Sequence, residues 1–342
     1  MYSPWKLSID GRCVYRVLTT FALLCVMAIE PAAGQSFTIK DLGTLPGGIN
    51  SSATGINSQG QVVGQAAPAS DPNNGVAFFL GNGGMTNLGT LPGGNGSGAA
   101  AINSRGEVVG TSSTALHPHA FLFANGAMTD LGTLGGITSS ASAINERGQI
   151  VGQSRTAGNL RHAFLFEKGT MKDLGAFPDS NFSDASGINN LGQVVGASIA
   201  QNGKHAFLYD NGVMADLGVL PGALYSVAAG INDRGQVVGI SGGTTNEHAF
   251  LFDNGVMTNL GTLPGGSRSG AAAINNGGQV VGYSDIASGV VHAFLFEKGV
   301  MIDLGALPGG NYSAATGINE RGEVVGWSQT SDGVNHAVLW SR

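Results

Sequence analysis

The chain has 342 residues, enough for a substantial core, yet only 11% are charged, with 16 basic against 22 acidic side chains and a net charge of −6. That balance argues against a nucleic-acid partner, which needs clustered Lys and Arg to neutralise phosphates. Both cysteines, Cys13 and Cys25, fall within the first 34 residues, so the rest of the chain has no thiol for disulfides, metal ligation or nucleophilic chemistry.

Residues 1–34 read as an export signal. Lys6, Arg12 and Arg16 form a basic start, residues 17–29 an apolar core, and Ala32-Ala33-Gly34 a small-residue cleavage site ahead of Gln35. The apolar core is too short to span a bilayer comfortably, and Leu24 stands before Cys25 where lipidation wants a small residue. A mature chain starting at Gln35, extracellular or periplasmic and without a membrane span, is expected. Losing Lys6, Arg12, Arg16, Asp10 and Glu30 leaves it 13 basic against 20 acidic residues.

Residues 35–342 form one repeat array. The motif Ser-x-Ala-x-x-Ile-Asn-x-x-Gly-[Gln/Glu]-[Val/Ile]-Val-Gly occurs seven times, ending at Gly64, Gly110, Gly152, Gly196, Gly239, Gly282 and Gly326. Successive spacings of 46, 42, 44, 43, 43 and 44 residues suit a unit of four short strands and a propeller blade. In the copy that begins at Ser269, strands are predicted over 269–275, 279–284, 292–296 and 300–305. Asn275-Asn276-Gly277-Gly278 joins the first pair, where Asn caps its own turn and Gly accepts the positive φ of a bulged hairpin. Lys298-Gly299 joins the last pair, and Asn211-Gly212 or Asn254-Gly255 does so elsewhere, a strong hairpin signal.

Val280-Val281 and Ala293-Phe294-Leu295-Phe296 are apolar at consecutive positions, so both faces of the sheet need cover. Stacking between two neighbours provides it. Ser269, Ala271, Ala273 and Asn275 are expected to share one small-residue face of an innermost strand. The array starts on a fourth strand, 37–43, and stops on a third, 336–340. Pairing these two completes a seventh sheet and leaves no free strand edge, so a closed, all-β, seven-bladed propeller is predicted over an open solenoid with capping units.

His-Ala-Phe-Leu-[Phe/Tyr] at 119, 162, 205, 248 and 292, followed by Asn-Gly or Lys-Gly and then Asp-Leu-Gly-Thr-Leu-Pro-Gly-Gly in varied forms, resembles the bacterial extracellular repeat family named HAF for its His-Ala-Phe triplet. The resemblance spans about residues 36–340 and implies export and a repeat fold, with no reaction or ligand to carry over. The first copy, at Val76, lacks the His, and the last, His336-Ala337-Val338-Leu339-Trp340, changes the aromatics.

Six histidines share one repeat position, which suits a structural role better than a catalytic one. Strand directions put His292 near Asp303, and likewise His119, His162, His205 and His336 near Asp130, Asp173, Asp216 and Asp41, while Asn87 and Asn259 stand where two copies lack the Asp. His117 is outside the pattern, in a loop beside Pro118. No nucleophile elbow, zinc helix, phosphate loop or calcium loop occurs, and no catalytic residue, metal site or cofactor is assigned. Asp179 and Asp184, as a cation pair, are the weak exception to the absence of metal ligands, and with Asp285 and His117 they are the only candidates for catalysis.

In an antiparallel blade the loops leaving strands two and four open on one rim and the hairpin turns on the other. The turns repeat closely; the loops vary, and variation on a fixed scaffold is where specificity resides. Before the invariant Ser stand Asn50, Gly96, Thr138, Phe182, Tyr225, Arg268 and Tyr312, with Tyr283 and Trp327 just after two of the motif glycines. The arc Phe182, Tyr225, Arg268, Tyr312, Tyr283 and Trp327 is the candidate ligand site, suited to a sugar ring or a protein partner; alternatively these rings pack between loops. The chain thus reads as a monomeric, non-enzymatic binding module for an extracellular or periplasmic protein or glycan. A polysaccharide lyase or hydrolase and a purely structural surface or matrix protein are the alternatives.

Overall fold

Each Asn-x-x-Gly segment folds as a tight turn. Asn57 accepts from Gly60 N at 3.0 Å through its carbonyl, and Gly60 takes φ +79°. In the other hairpin, Asn254 and Gly255 have φ of +49° and +82°, the pair of positive values that a two-residue turn needs to match the strand twist. The computed structural model describes residues 37–68, 74–244 and 246–342; the expected export signal lies outside them.

These turns fold each repeat into a four-stranded antiparallel sheet, giving seven sheets and no helix among the described residues. The sixth blade comprises Ser269–Ile274, Val280–Asp285, Val291–Glu297 and Val300–Gly305. The seventh comprises Ser313–Ile318, Val324–Gln329, Asn335–Ser341 and the N-terminal strand Thr38–Asp41. Thr38 pairs with Ser341 and Asp41 with Val338, so the expected closure forms. First strands of neighbouring blades touch around the axis, as an innermost position requires.

The core is divided among the seven interfaces between blades. Val280, Ala271 and Phe294 pack toward the fifth blade with Val238 and Ala249, whereas Val281, Ala293 and Leu295 pack toward the seventh with Ala315 and Trp340. Consecutive apolar residues are therefore buried on opposite faces. One expectation is corrected: Ser269, Ala271, Ala273 and Asn275 do not share a face, because a bulge interrupts the register between Ala271 and Ala273. The same bulge recurs in all seven first strands. It turns Ala273 toward the seventh blade and Ile274 back toward the fifth, so the large Ile reaches the core that simple alternation would deny it.

The terminal glycine of the motif is enforced by packing. A Cβ on Gly282 would lie 1.9 Å from the carbonyl oxygen of Gly270, and the fully buried Phe294 sits directly opposite Gly282 on the third strand. Two polar devices then join the blades. Ser313 donates to Gly305 O at 2.6 Å and accepts from Ala293 N at 2.9 Å, and Ser51 repeats this across the closure with Gly43 and Ala337. Asn57 Nδ2 donates to Asn103 O at 3.0 Å, and the step continues through Asn103, Asn145, Asn189, Asn232 and Asn275 to Asn319, which returns to Asn57 O at 3.1 Å. The motif asparagines form a closed ring of side-chain bonds.

Candidate functional site: the loop-rich rim

Strand polarity puts the start of every first strand, the end of every second and the start of every third on one rim. Tyr225 and Arg268 precede or begin the first strands of the fifth and sixth blades, Tyr312 precedes that of the seventh, and Tyr283 and Trp327 lie near the ends of the second strands. Phe182 precedes the first strand of the fourth blade, Ser183–Ile188. All six predicted residues are on this rim, but they divide into three groups.

Arg268, Tyr283, Tyr312 and Trp327 converge on one cleft of about 550 Å³ between the sixth and seventh blades, whose wall also includes Asp285, Val291, Thr316 and small alanines of the two first strands. Local sequence makes room for the rings. Tyr283 pairs across the sheet with Gly270, where a Cβ would come within 2.6 Å of the ring, and Trp327 pairs with Ala314. Tyr312 is 42% exposed, so its face is free for contact.

Asp285 is buried among donors. Its Oδ1 accepts from the amides of Ser267 and Arg268, both at 2.7 Å, and its Oδ2 from the Ser267 hydroxyl at 2.9 Å. Burial by itself raises its pKa, but these bonds and the nearby Arg268 guanidinium outweigh that and hold the carboxyl below its ordinary range. It is a fixed negative charge that shapes the loop carrying Arg268.

Tyr225 belongs to a second group. Its phenol donates to Glu247 Oε2 at 3.1 Å while Tyr283 donates to Oε1 at 3.0 Å, so one carboxylate ties two blades together. Burial and then the charge of Glu247 push the Tyr283 phenol far up, and burial with the Glu247 bond raises Tyr225, so both remain neutral donors at physiological pH. Sequence reasoning missed Glu247. Its signal was an acid immediately before the repeat histidine, where other copies carry Pro118, Arg161, Lys204, Val291 or Asn335.

Phe182 is in a third group. Arg161 and Lys204 each stand 5.0 Å from its ring centroid, and both pair with Asp184, at 3.0 and 3.8 Å. Of the other residues considered for chemistry, His117 and Asp179 are exposed in loops, the latter at φ +63°. Among the described residues no three His, Asp or Glu side chains stand close enough together to hold a metal ion.

The repeat histidines meet their acids as expected. His119, His162, His205, His292 and His336 bond through Nδ1 to Asp130, Asp173, Asp216, Asp303 and Asp41 at 2.8 to 2.9 Å. Asp303 also accepts from Gly305 N at 2.7 Å, so it fixes the loop as well as the ring. Asn259 keeps the equivalent turn bond to Gly261 at 2.8 Å, while the buried Nδ1 of His248 has no partner among the described residues.

No protein-family model and no curated protein matches the sequence. Solved structures match the fold. The β-propeller domain of the Trilobed protease from Pyrococcus furiosus aligns with a TM-score of 0.57 at 12% identity over 86% of this chain and 94% of that one. A puromycin-hydrolyzing peptidase from Mycobacterium tuberculosis aligns with 0.62 at 13% identity over 85% of this chain and 50% of that one. The acylaminoacyl peptidase of Pyrococcus horikoshii gives 0.54 at 12%, over 85% and 51%. This chain matches about half the length of each of the two peptidases, and at such identities the likeness is one of fold.

Proposed function

We propose that this chain is an exported binding module of the His-Ala-Phe repeat family, acting as a monomer outside the cytoplasm, and that its ligand occupies the cleft between the sixth and seventh blades. The observation that carries this reading is the convergence of Arg268, Tyr283, Tyr312 and Trp327, all at variable positions of an otherwise repeated framework, on one cavity of about 550 Å³. That volume lies within the usual range for small-ligand sites. Aromatic faces with a guanidinium and a carboxylate at their edge suit a sugar ring or an anchoring side chain of a protein partner.

A polysaccharide lyase or hydrolase would instead need a carboxylate able to exchange protons in the cleft. Asp285 is bound by Ser267 and Arg268 and held ionised, which favours binding over chemistry. A glycan and secreted-protein panel tests the proposal. Tyr312→Ala and Trp327→Ala should each weaken capture of the panel's binder by about 1–3 kcal/mol while melting remains near wild type. Asn254→Ala, on the opposite rim, should destabilise its hairpin and leave affinity of the folded fraction unchanged. Tyrosine and tryptophan variants that bind like wild type, corrected for folded fraction, would make these rings packing residues.

A further inference from the structure

The hydrogen-bonding groups on the cleft between the sixth and seventh blades narrow what it can hold. Val281 and Ala293 face the seventh blade, and strand alternation carries Tyr283 and Asp285 on the second strand and Val291 on the third to that same face. Arg268 is on this side too. Its Nε stands 3.7 Å from Asp285 Oδ2, beyond hydrogen-bonding distance, and its side chain is half-exposed.

The side-chain acceptors are already used. Both oxygens of Asp285 are taken by Ser267 and the Arg268 amide, and Glu247, which Tyr283 reaches, accepts from two phenols. The Thr316 hydroxyl donates to Ala53 O at 2.9 Å. What remains on the wall are donors. The Arg268 guanidinium and the Trp327 indole N–H have no hydrogen-bond partner among the described residues and can only donate; the Tyr312 phenol can do either, and Val291 and the alanines are apolar. A sugar ring would bring hydroxyls that donate as well as accept, and a buried donor left unpaired costs free energy. A carboxylate only accepts, so it fits donors set beside an apolar wall.

We propose that the cleft takes the C-terminal residue of a protein partner, its aromatic side chain against Tyr283, Val291 and Trp327 and its free carboxylate on the Arg268 guanidinium. The proposal rests on the reading of this cleft as the ligand site and selects the protein anchor over the sugar. A C-terminal aromatic residue carries both groups on one Cα, and a cleft of about 550 Å³ on the rim holds such a residue while the preceding chain leaves into solvent. Asp285 does not block the contact, because its three hydrogen bonds tie its oxygens to Ser267 and the Arg268 amide and leave the guanidinium N–H groups for a planar, bidentate acceptor.

Titration calorimetry on the full chain, with melts to confirm the fold of each variant, tests this with four probes: N-acetyl-Gly-Gly-Trp as the free acid, the same peptide amidated, amidated N-acetyl-Gly-Trp-Glu, and maltotriose. The free acid should bind more tightly than maltotriose and at least about threefold more tightly than its own amide, a modest factor because the guanidinium is half-exposed. Arg268→Gln should erase the preference for acid over amide and leave the affinity of the amide within about twofold, a pattern that general unfolding would not give. Val291→Trp, which fills the cleft, should abolish binding of both peptides. No binding of the free acid, equal affinity for acid and amide, or a preference that survives Arg268→Gln would overturn the proposal. Equally tight binding of the peptide with an internal acid would overturn the C-terminal assignment. Maltotriose bound more tightly than the peptides, and lost in Val291→Trp, would keep the cleft as the ligand site and overturn the protein anchor; binding of any probe that persists unchanged in Val291→Trp would overturn the cleft itself.

Discussion

Asn189 illustrates how one side chain serves three neighbours. Its Oδ1 accepts from the amides of Leu191 and Gln193 at 3.1 and 3.0 Å, and its Nδ2 donates to Gln193 Oε1 at 2.7 Å and to Asn232 O in the next blade at 3.0 Å. All four hydrogen-bonding positions of the amide are used. Asn189→Asp keeps the acceptor and sets a carboxylate against two oxygens, so it should destabilise the fold by about 2–3 kcal/mol, read from the urea midpoint. A midpoint equal to wild type would remove the ring from the account of stability. Asp285 gives a pH prediction. Its folded pKa is depressed, so its contribution is present above the unfolded value of about 4 and is lost as pH falls through the folded one. The stability gap between wild type and Asp285→Asn should therefore be largest near neutrality and close below about pH 4. Thermal melts across that range measure it, and a gap that widens in acid would contradict the assignment.

At the scale of the strand, the second strand of each blade is held by contact on both edges. A Cβ on Gly282 would meet the Gly270 carbonyl oxygen at 1.9 Å and the Ala271 Cα at 2.9 Å, both backbone atoms rather than the free end of a flexible chain. Gly282→Ala forces backbone apart in a packed interior and should cost about 3 kcal/mol or more. The same substitution at Gly299, where an added Cβ meets nothing within 4 Å but φ is +81°, should cost about 1 kcal/mol, through backbone strain alone. Denaturation midpoints of the two variants compare packing with conformational strain, and an equal loss would contradict the close approach. The first strand's bulge belongs to this scale too. It is what lets a strand of small residues both crowd the axis and deliver an Ile to the interface.

Across the whole molecule, closure joins residues about 300 apart in the chain. Thr38–Asp41 pairs with Asn335–Ser341, Trp340 is fully buried between the sixth and seventh blades, His336 bonds Asp41 at 2.8 Å, and Asn319 completes the asparagine ring at Asn57. Deleting residues 335–342 removes all but the last of these and exposes two strand edges. The truncated chain should lose several kcal/mol of stability and aggregate, because unpaired backbone and lost aromatic burial each cost about 1–5 kcal/mol. Light scattering behind size exclusion, with a melt, decides it; a truncation that stays monomeric and melts like wild type would sink the ring-closure account.

Much of this architecture is local and therefore legible in the chain itself. Seven motif copies, turn residues at fixed offsets, apolar pairs such as Val280-Val281 and the complementary truncated ends determined the number of blades, their four strands and the closure, and strand direction alone brought His292 to Asp303. Each of these depends on residues within one repeat or on the periodicity between repeats. The bulge, the asparagine ring and the division of the rim were not legible in the same way. The aromatic arc was found as one set, yet Tyr312 and Trp327 meet Tyr283 across an interface, Glu247 captures Tyr225 and Tyr283 from two blades, and Phe182 is drawn to Arg161 and Lys204. Arg155 and Arg161 become neighbours only through strand register, and Arg161 meets Phe182 and Asp184 only because the fourth blade is stacked against the third. Sequence determined which positions vary; the tertiary structure decided which of them meet, because contacts across blade interfaces are set by how the blades turn about a common axis.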